Sequence, residues 1–359
     1  MRDLPPIDLN IRGENVQEIY AWYLAGRLVV NRRYQRKLVW TKEEKAQLVD
    51  TMLRRYPMPL IILAEVEFGG IPRFEVIDGM QRLNAILSFI ENKVDVNGEY
   101  FDLATMANAK QLLDEGKLTQ KNPAIERTLC AQFANYKVPI STYKINETEH
   151  IDEIFRRINS GGRRLSNQEI RQAGVVGTFS DLVRTLAANI RGDVSHGDVL
   201  LLNDMEEISI TNKDLDYGIK VEDIYWVNHG ILRKEEIRDS KDEDLVSDLV
   251  AYIIHPVDEK PASSSQVLDI YYGRSPESSE ESQEKALEKK REMDLLVNKE
   301  GEQAILKRFL ATHDFMKQIV VAASGHGGAK FKELIGITGA TDRAPRYYQV
   351  LFLAVYELL

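Results

Sequence analysis

Three stretches of this chain set anion-binding groups beside groups that can accept protons or hold a cation. The sharpest is Phe74-Glu75-Val76-Ile77-Asp78-Gly79-Met80-Gln81-Arg82-Leu83-Asn84, where a strand-like run meets a glycine turn and passes directly into a helical pattern. The first turn of a helix has free backbone N–H groups and the positive end of the helix dipole, so it attracts anions. Arg82 and Gln81 at that turn can add phosphate contacts. Asp78 can accept hydrogen bonds from the loop or help hold magnesium. A plainer reading of the same residues makes Asp78 a helix cap, Gly79 a turn and Arg82 a surface charge.

Two further stretches supply context. Tyr34-Gln35-Arg36, followed by Trp40, lies about forty residues upstream. Downstream, Phe155-Arg156-Arg157-Ile158-Asn159-Ser160-Gly161-Gly162-Arg163-Arg164-Leu165-Ser166-Asn167-Gln168-Glu169 is a second Gly-rich, arginine-flanked lead into a helix. Ser166 and Glu169 are explained as a capping box. The four arginines and Asn159 around Gly161-Gly162 are not. Three anion-competent stretches around one small sheet fit a nucleoside triphosphate pocket better than three separate accidents.

The elements that must position them form a mixed α/β first half. Val16 to Leu28 has a helical pattern. Thr41 with Glu44 is a capping box, opening a helix whose apolar face holds Ala46, Val49, Met52 and Leu53, stopped by Pro57 and Pro59. Leu60 to Phe68 and Arg73 to Ile77 read as strands about Gly69-Gly70, and Leu83, Ile86, Leu87 and Ile90 continue at helical spacing. Val138 to Tyr143 reads as another strand and Ile151 to Ile158 as a helix. Beyond about residue 175 the patterns are mostly helical (Phe179 to Ile190, Ser240 to Ile254, Glu280 to Val297, Ala304 to Ala323, Tyr347 to Leu359). The predicted architecture is therefore α+β: a small mixed sheet with helices over 1–175, then a mostly α-helical domain over 176–359. The serine-rich, acidic stretch 256–284 is expected to be a flexible connector.

Charge narrows the function. The 359 residues carry 47 Lys+Arg against 56 Asp+Glu, a net −9, so bulk charge does not suit the chain to coating nucleic acid. Any DNA contact needs a local basic patch. Nine basic residues against three acidic between Arg27 and Arg55 leave +6, whereas 258–302 has twelve acidic against seven basic, or −5. The single Cys130 excludes an internal disulfide. No secretion signal and no bilayer-length apolar run is visible, so a cytoplasmic protein without membrane association is expected.

Taken in order, Tyr34-Gln35-Arg36…Trp40, Ile77-Asp78-Gly79-Met80-Gln81-Arg82 and Phe155…Ile158-Asn159…Gly162…Leu165-Ser166…Glu169 resemble the GmrSD restriction-endonuclease N-terminal-domain family (domain-of-unknown-function family 262) over roughly residues 10 to 175. That family is related in fold to the ParB/sulfiredoxin superfamily. The resemblance implies a ParB/sulfiredoxin-like sheet domain, nucleotide binding and hydrolysis, and service in prokaryotic restriction or phage defence, often on modified DNA. It makes Asp78, Gly79, Gln81 and Arg82 the hydrolysis motif, with Asp78, Gln81 and Arg82 catalytic. Tyr34, Gln35 and Arg36 would face them across the phosphates. Asn159, with Arg156 or Arg163, would close the pocket, and Asp78 and Asn159 would hold Mg2+. The chain departs from the family at Met80, where glutamine is usual. If that side chain orients water, hydrolysis is weakened while binding survives; if only its backbone N–H is used, nothing is lost.

The six histidines are scattered and form no ββα-metal nuclease pattern. The expected function is thus an NTP-hydrolysing sensor or regulatory subunit that works with a partner nuclease, contacts DNA through a local patch, and leaves room for a homo-oligomer. A stand-alone ParB-like nuclease and a non-hydrolysing nucleotide- or DNA-binding scaffold are the alternatives.

Overall fold

The computed structural model describes residues 9–32, 37–144, 166–172, 175, 177–193, 195, 197–211, 215, 217–261, 264–275, 277, 279–324, 328–339 and 343–359. The chain divides into two compact units, Met1–Gly162 with Ser195–Lys220, and Arg163–Val194 with Val221–Leu359.

In the first unit, β1 (Leu9–Asn15), β2 (Leu28–Asn31), β3 (Ile61–Phe68), β4 (Ile71–Asp78), β5 (Lys137–Lys144) and β6 (Val199–Leu201) form one mixed sheet in the order β1-β5-β3-β4-β2-β6. β5 runs parallel to β3 and β2 parallel to β4, and the other pairs are antiparallel. The predicted mixed sheet is present, with three strands the sequence patterns did not reveal: β1, β2 and β6. The β3–β4 hairpin closes on Gly69 and Gly70 at φ 63° and 74°, which is the backbone a two-residue primed turn requires.

Helices α1 (Val16–Leu24), α2 (Lys42–Leu53), α3 (Met80–Ile90), α4 (Ala107–Asp114) and α5 (Arg127–Ala134) contribute to a core on one face of this sheet. The helical pattern from Val16 ends at Leu24 rather than Leu28, because Gly26 turns the chain at φ 63° into β2. The predicted capping box opens α2: Thr41 accepts from the Glu44 N–H, and Glu44 accepts from the Thr41 N–H.

Alternation separates the two faces of the sheet. Ile61, Leu63, Phe74, Val76, Leu28, Val30, Val138 and Ile140 belong to the helix-covered core. Ile62, Ala64, Glu75, Ile77, Val29 and Ser141 point the other way and are buried too. Both faces of this small sheet are covered.

The second unit is helical in its described part, as the sequence predicts. Its long elements are α6 (Asn167–Gln172), α7 (Thr178–Arg191), α8 (Lys241–Ile254), α9 (Ser265–Tyr271), α10 (Glu280–Glu300), α11 (Glu302–Ser324) and α12 (Pro345–Leu358). The Ser166–Glu169 capping box is present ahead of α6. Within 256–284, α9 buries Leu268 and Tyr271. Two buried arginines are structural here: Arg171 pairs with Asp244 and Asp269, each at 2.7 Å, and Arg191 faces Asp242 and Glu243. Among the described residues, no helix is long and apolar enough to cross a membrane.

Candidate functional site

The site is built at the junction of β4 and α3. Pairing of β3 with β4 shifts between Ile62 and Leu63, so that Ile62 stands opposite Asp78 while Leu63 stands opposite Val76. The bulge adds a residue to the end of β4 and re-aims Asp78 just where the strand stops. Gly79 then takes φ 104°, and a Cβ on it would lie 2.9 Å from Cγ1 of Ile61. Both the left-handed backbone and the close approach demand glycine. α3 starts immediately after it, and Gly79, having no side chain, supplies no cap to its first N–H groups, the arrangement in which an anion can serve them.

Four residues of the motif take distinct places. Nη2 of Arg82 donates to Oδ2 of Asp78 at 2.5 Å, with Arg82 mostly covered and Asp78 more than one-third exposed. An incoming phosphate would compete with Asp78 for that guanidinium. Met80 is 4% exposed and part of the apolar core, so it offers the helix start only its backbone N–H. Gln81 reaches sideways: its Nε2 donates to the carbonyl of Lys37 at 2.8 Å, and its Oε1 accepts from the N–H groups of Val39 (3.0 Å) and Trp40 (3.2 Å). That amide clamps the segment that follows Tyr34-Gln35-Arg36. It acts on the loop through the backbone.

Ser195–Lys220 bonds to the described residues on either side of positions 33–36. Before them, Asn31 pairs with Val199, the Arg32 N–H donates to the Asp198 carbonyl at 2.7 Å, and the Arg32 guanidinium bonds Ser195. After them, the Ile210 N–H donates to the Leu38 carbonyl at 2.9 Å. This returning strap is fastened to the back of α3 by a polar network. Lys45, 1% exposed, donates to Asn84 at 2.6 Å and to Tyr217. Asn84 donates to Glu206 at 3.3 Å, and Lys93 bridges Glu206 and Glu91. Burial lowers the Lys45 pKa to about 8, aided by the charge of Lys93 and opposed by that of Glu206.

Sequence reasoning passed over this strap, although Lys45 one turn before Val49 on the inward stripe of α2 was a legible sign. It also passed over Glu75, buried on the sheet face away from the core. Tyr34, Gln35, Arg36, Arg156, Asn159 and Arg163, together with the predicted 151–158 helix, lie outside the described residues.

Four of the nine basic residues counted over 27–55 take separate places. Lys45 enters the interior network, Arg27 stacks on Trp22 and Phe74, Lys42 pairs with Asp95, and Arg54 pairs with Asp50. Among the described residues no group of three or more His, Cys, Asp or Glu side chains is placed to hold a metal ion. Asp78 is the one motif carboxylate there, and a single carboxylate fits magnesium that keeps waters and phosphate oxygens as its other ligands.

A mixed α+β domain with an uncapped helix start at the end of a central strand is therefore joined to a helical unit. Residues 18–176 match the family model described as GmrSD restriction endonuclease, N-terminal domain. The family points to a component of a restriction or defence system acting on DNA. No curated protein matches the chain.

Proposed function

We propose that the chain is a nucleotide-binding, NTP-hydrolysing sensor subunit of a prokaryotic restriction or antiviral defence system, acting on DNA with a partner nuclease. The observation that carries the reading is the β4–α3 junction. There a bulge, a left-handed glycine and the start of α3 bring Asp78 and Arg82 together, which supports an anion site at that point. The ParB-like relationship of the domain is part of the same reading.

The triphosphate binds with phosphate oxygens on the first N–H groups of α3 and on Arg82. Gln35 and Arg36 of the first motif would add phosphate contacts. Tyr34 belongs to the same motif, and Arg156, Asn159 and Arg163 come from the third motif. Bound magnesium, held by Asp78 and Asn159, would neutralise phosphate charge. Water attacks the terminal phosphorus, the bond to the bridging oxygen breaks, and Arg82 stabilises the charge left on that oxygen.

Phosphate release with each of the four ribonucleoside triphosphates and Mg2+ tests this. Release by the wild type, lost in Arg82→Ala and Asp78→Ala variants that keep their circular dichroism, is expected. Equal release by wild type and Arg82→Ala would overturn it. The Gln81 amide, spent on backbone groups, favours a second reading: a site that binds triphosphate and turns it over slowly or not at all. Heat of binding without phosphate release would select it.

A further inference from the structure

Glu75 is 6% exposed, and among the described residues its buried Oε1 has no hydrogen-bond partner. The side chain of Asn31 donates to the carboxylate; burial raises its pKa, and that bond lowers it in part. A buried carboxylate with no cation among the described residues and an oxygen left unbonded is costly, and such groups gather where a ligand is to be met. Its place supports this. Glu75 stands opposite Ala64 on β3 and Val29 on β2, and Asp78 stands opposite Ile62. Ile62 and Ala64 are two residues apart, so the two rows are separated by roughly 7 Å at the usual strand rise. Glu75 is thus set back from the phosphate point by one row, on the face away from the apolar core.

Charge decides what such a group can contact. A carboxylate repels phosphate oxygens, so it belongs at the other end of a nucleotide, where hydroxyl groups are donors. In dinucleotide-binding folds, too, the pyrophosphate sits at a helix N-terminus while a separate acidic side chain, about twenty residues further along the chain, takes the ribose 2′-hydroxyl. We infer that Glu75 is a specificity-determining residue of this site, accepting a hydrogen bond from a sugar hydroxyl of the bound ribonucleotide through Oε1. The inference rests on the nucleotide reading above and names the part of the nucleotide that the described residues select.

Calorimetric titration of wild type, Glu75→Gln and Glu75→Met with ATP, GTP, CTP and UTP, and with the 2′-deoxy and 3′-deoxy forms of the tightest binder, tests it. Wild type should prefer the ribonucleotide to one of the deoxy forms by about tenfold or more, the range for a hydrogen bond to a charged group. Glu75→Met should abolish the preference while changing the affinity for that deoxy form by less than about twofold, and Glu75→Gln should fall between. Glu75→Met should also raise the thermal midpoint, since it removes a buried carboxylate that no described cation offsets. Wild type that binds but does not discriminate, variants that keep the preference, or a loss of turnover with the preference intact would each overturn the assignment alone. Failure of wild type to bind any triphosphate would instead remove the nucleotide reading, and the assignment with it.

Discussion

Replacing Lys45 by methionine reports directly on the buried network that fastens the strap. The Lys45 pKa is about 8 in the folded chain against 10.5 for an ordinary lysine. Below pH 8 the amine is charged in both states, and the folded state bears the full cost of burying that charge. Between pH 8 and 10.5 the unfolded chain binds more protons than the folded one, so stability rises with pH. The complete difference of 2.5 units corresponds to about 3 kcal/mol, of which roughly 2 kcal/mol is recovered by about pH 9.5. Tyr20, Tyr23 and Tyr217 titrate above their ordinary range because burial disfavours their charged forms. They work in the opposite direction, but only above pH 10. Urea unfolding of wild type and Lys45→Met at intervals from pH 7 to 9.5 isolates the lysine. Wild-type stability should gain about 2 kcal/mol on the variant across that window. A difference between the two proteins that stays constant with pH would refute a buried, charge-penalised Lys45.

Other substitutions test the junction itself. Gly79→Ala should cost about 2–4 kcal/mol in urea unfolding, from left-handed backbone strain and the contact with Ile61; a loss under about 0.5 kcal/mol would contradict the geometry. Gln81→Ala should lower stability by about 1–3 kcal/mol. It should also speed hydrogen exchange at Val39 and Trp40 more than inside α3, and uniform acceleration would deny the clamp. Met80→Gln should be less stable by about 1–3 kcal/mol, because it buries an amide in an apolar core. Its phosphate release should not exceed that of wild type, and a clear gain would show that the side chain, not the backbone, serves the site.

Features carried by short-range spacing were legible. The capping boxes at Thr41 and Ser166 could be read because a residue three positions on completes the bonds. The β4–α3 junction could be read because an apolar alternation changes to helical period across Asp78-Gly79. What escaped is non-local. β2 is four residues long and merges with the helical pattern ahead of it. β6 joins the sheet from 168 residues beyond β2, in a stretch of three residues too short for any period. Asp78, Gly79 and Arg82 were recognisable as a cluster, but nothing near Gln81 in the sequence says that its amide closes on residues 37–40. Arg27, Lys42, Lys45 and Arg54, counted together in one basic stretch, go separately into stacking, pairing and burial, because a sum of charge does not encode which side chains face inward.

Equilibrium titration of the full chain with nucleoside triphosphate and Mg2+, comparing wild type with Arg82→Ala, tests the central claim most directly. Wild type should bind at least one of the four ribonucleotides, and Arg82→Ala should bind it about tenfold or more weakly while remaining folded. A wild type that binds none, or an Arg82→Ala variant that binds equally well, would contradict a phosphate site at the start of α3.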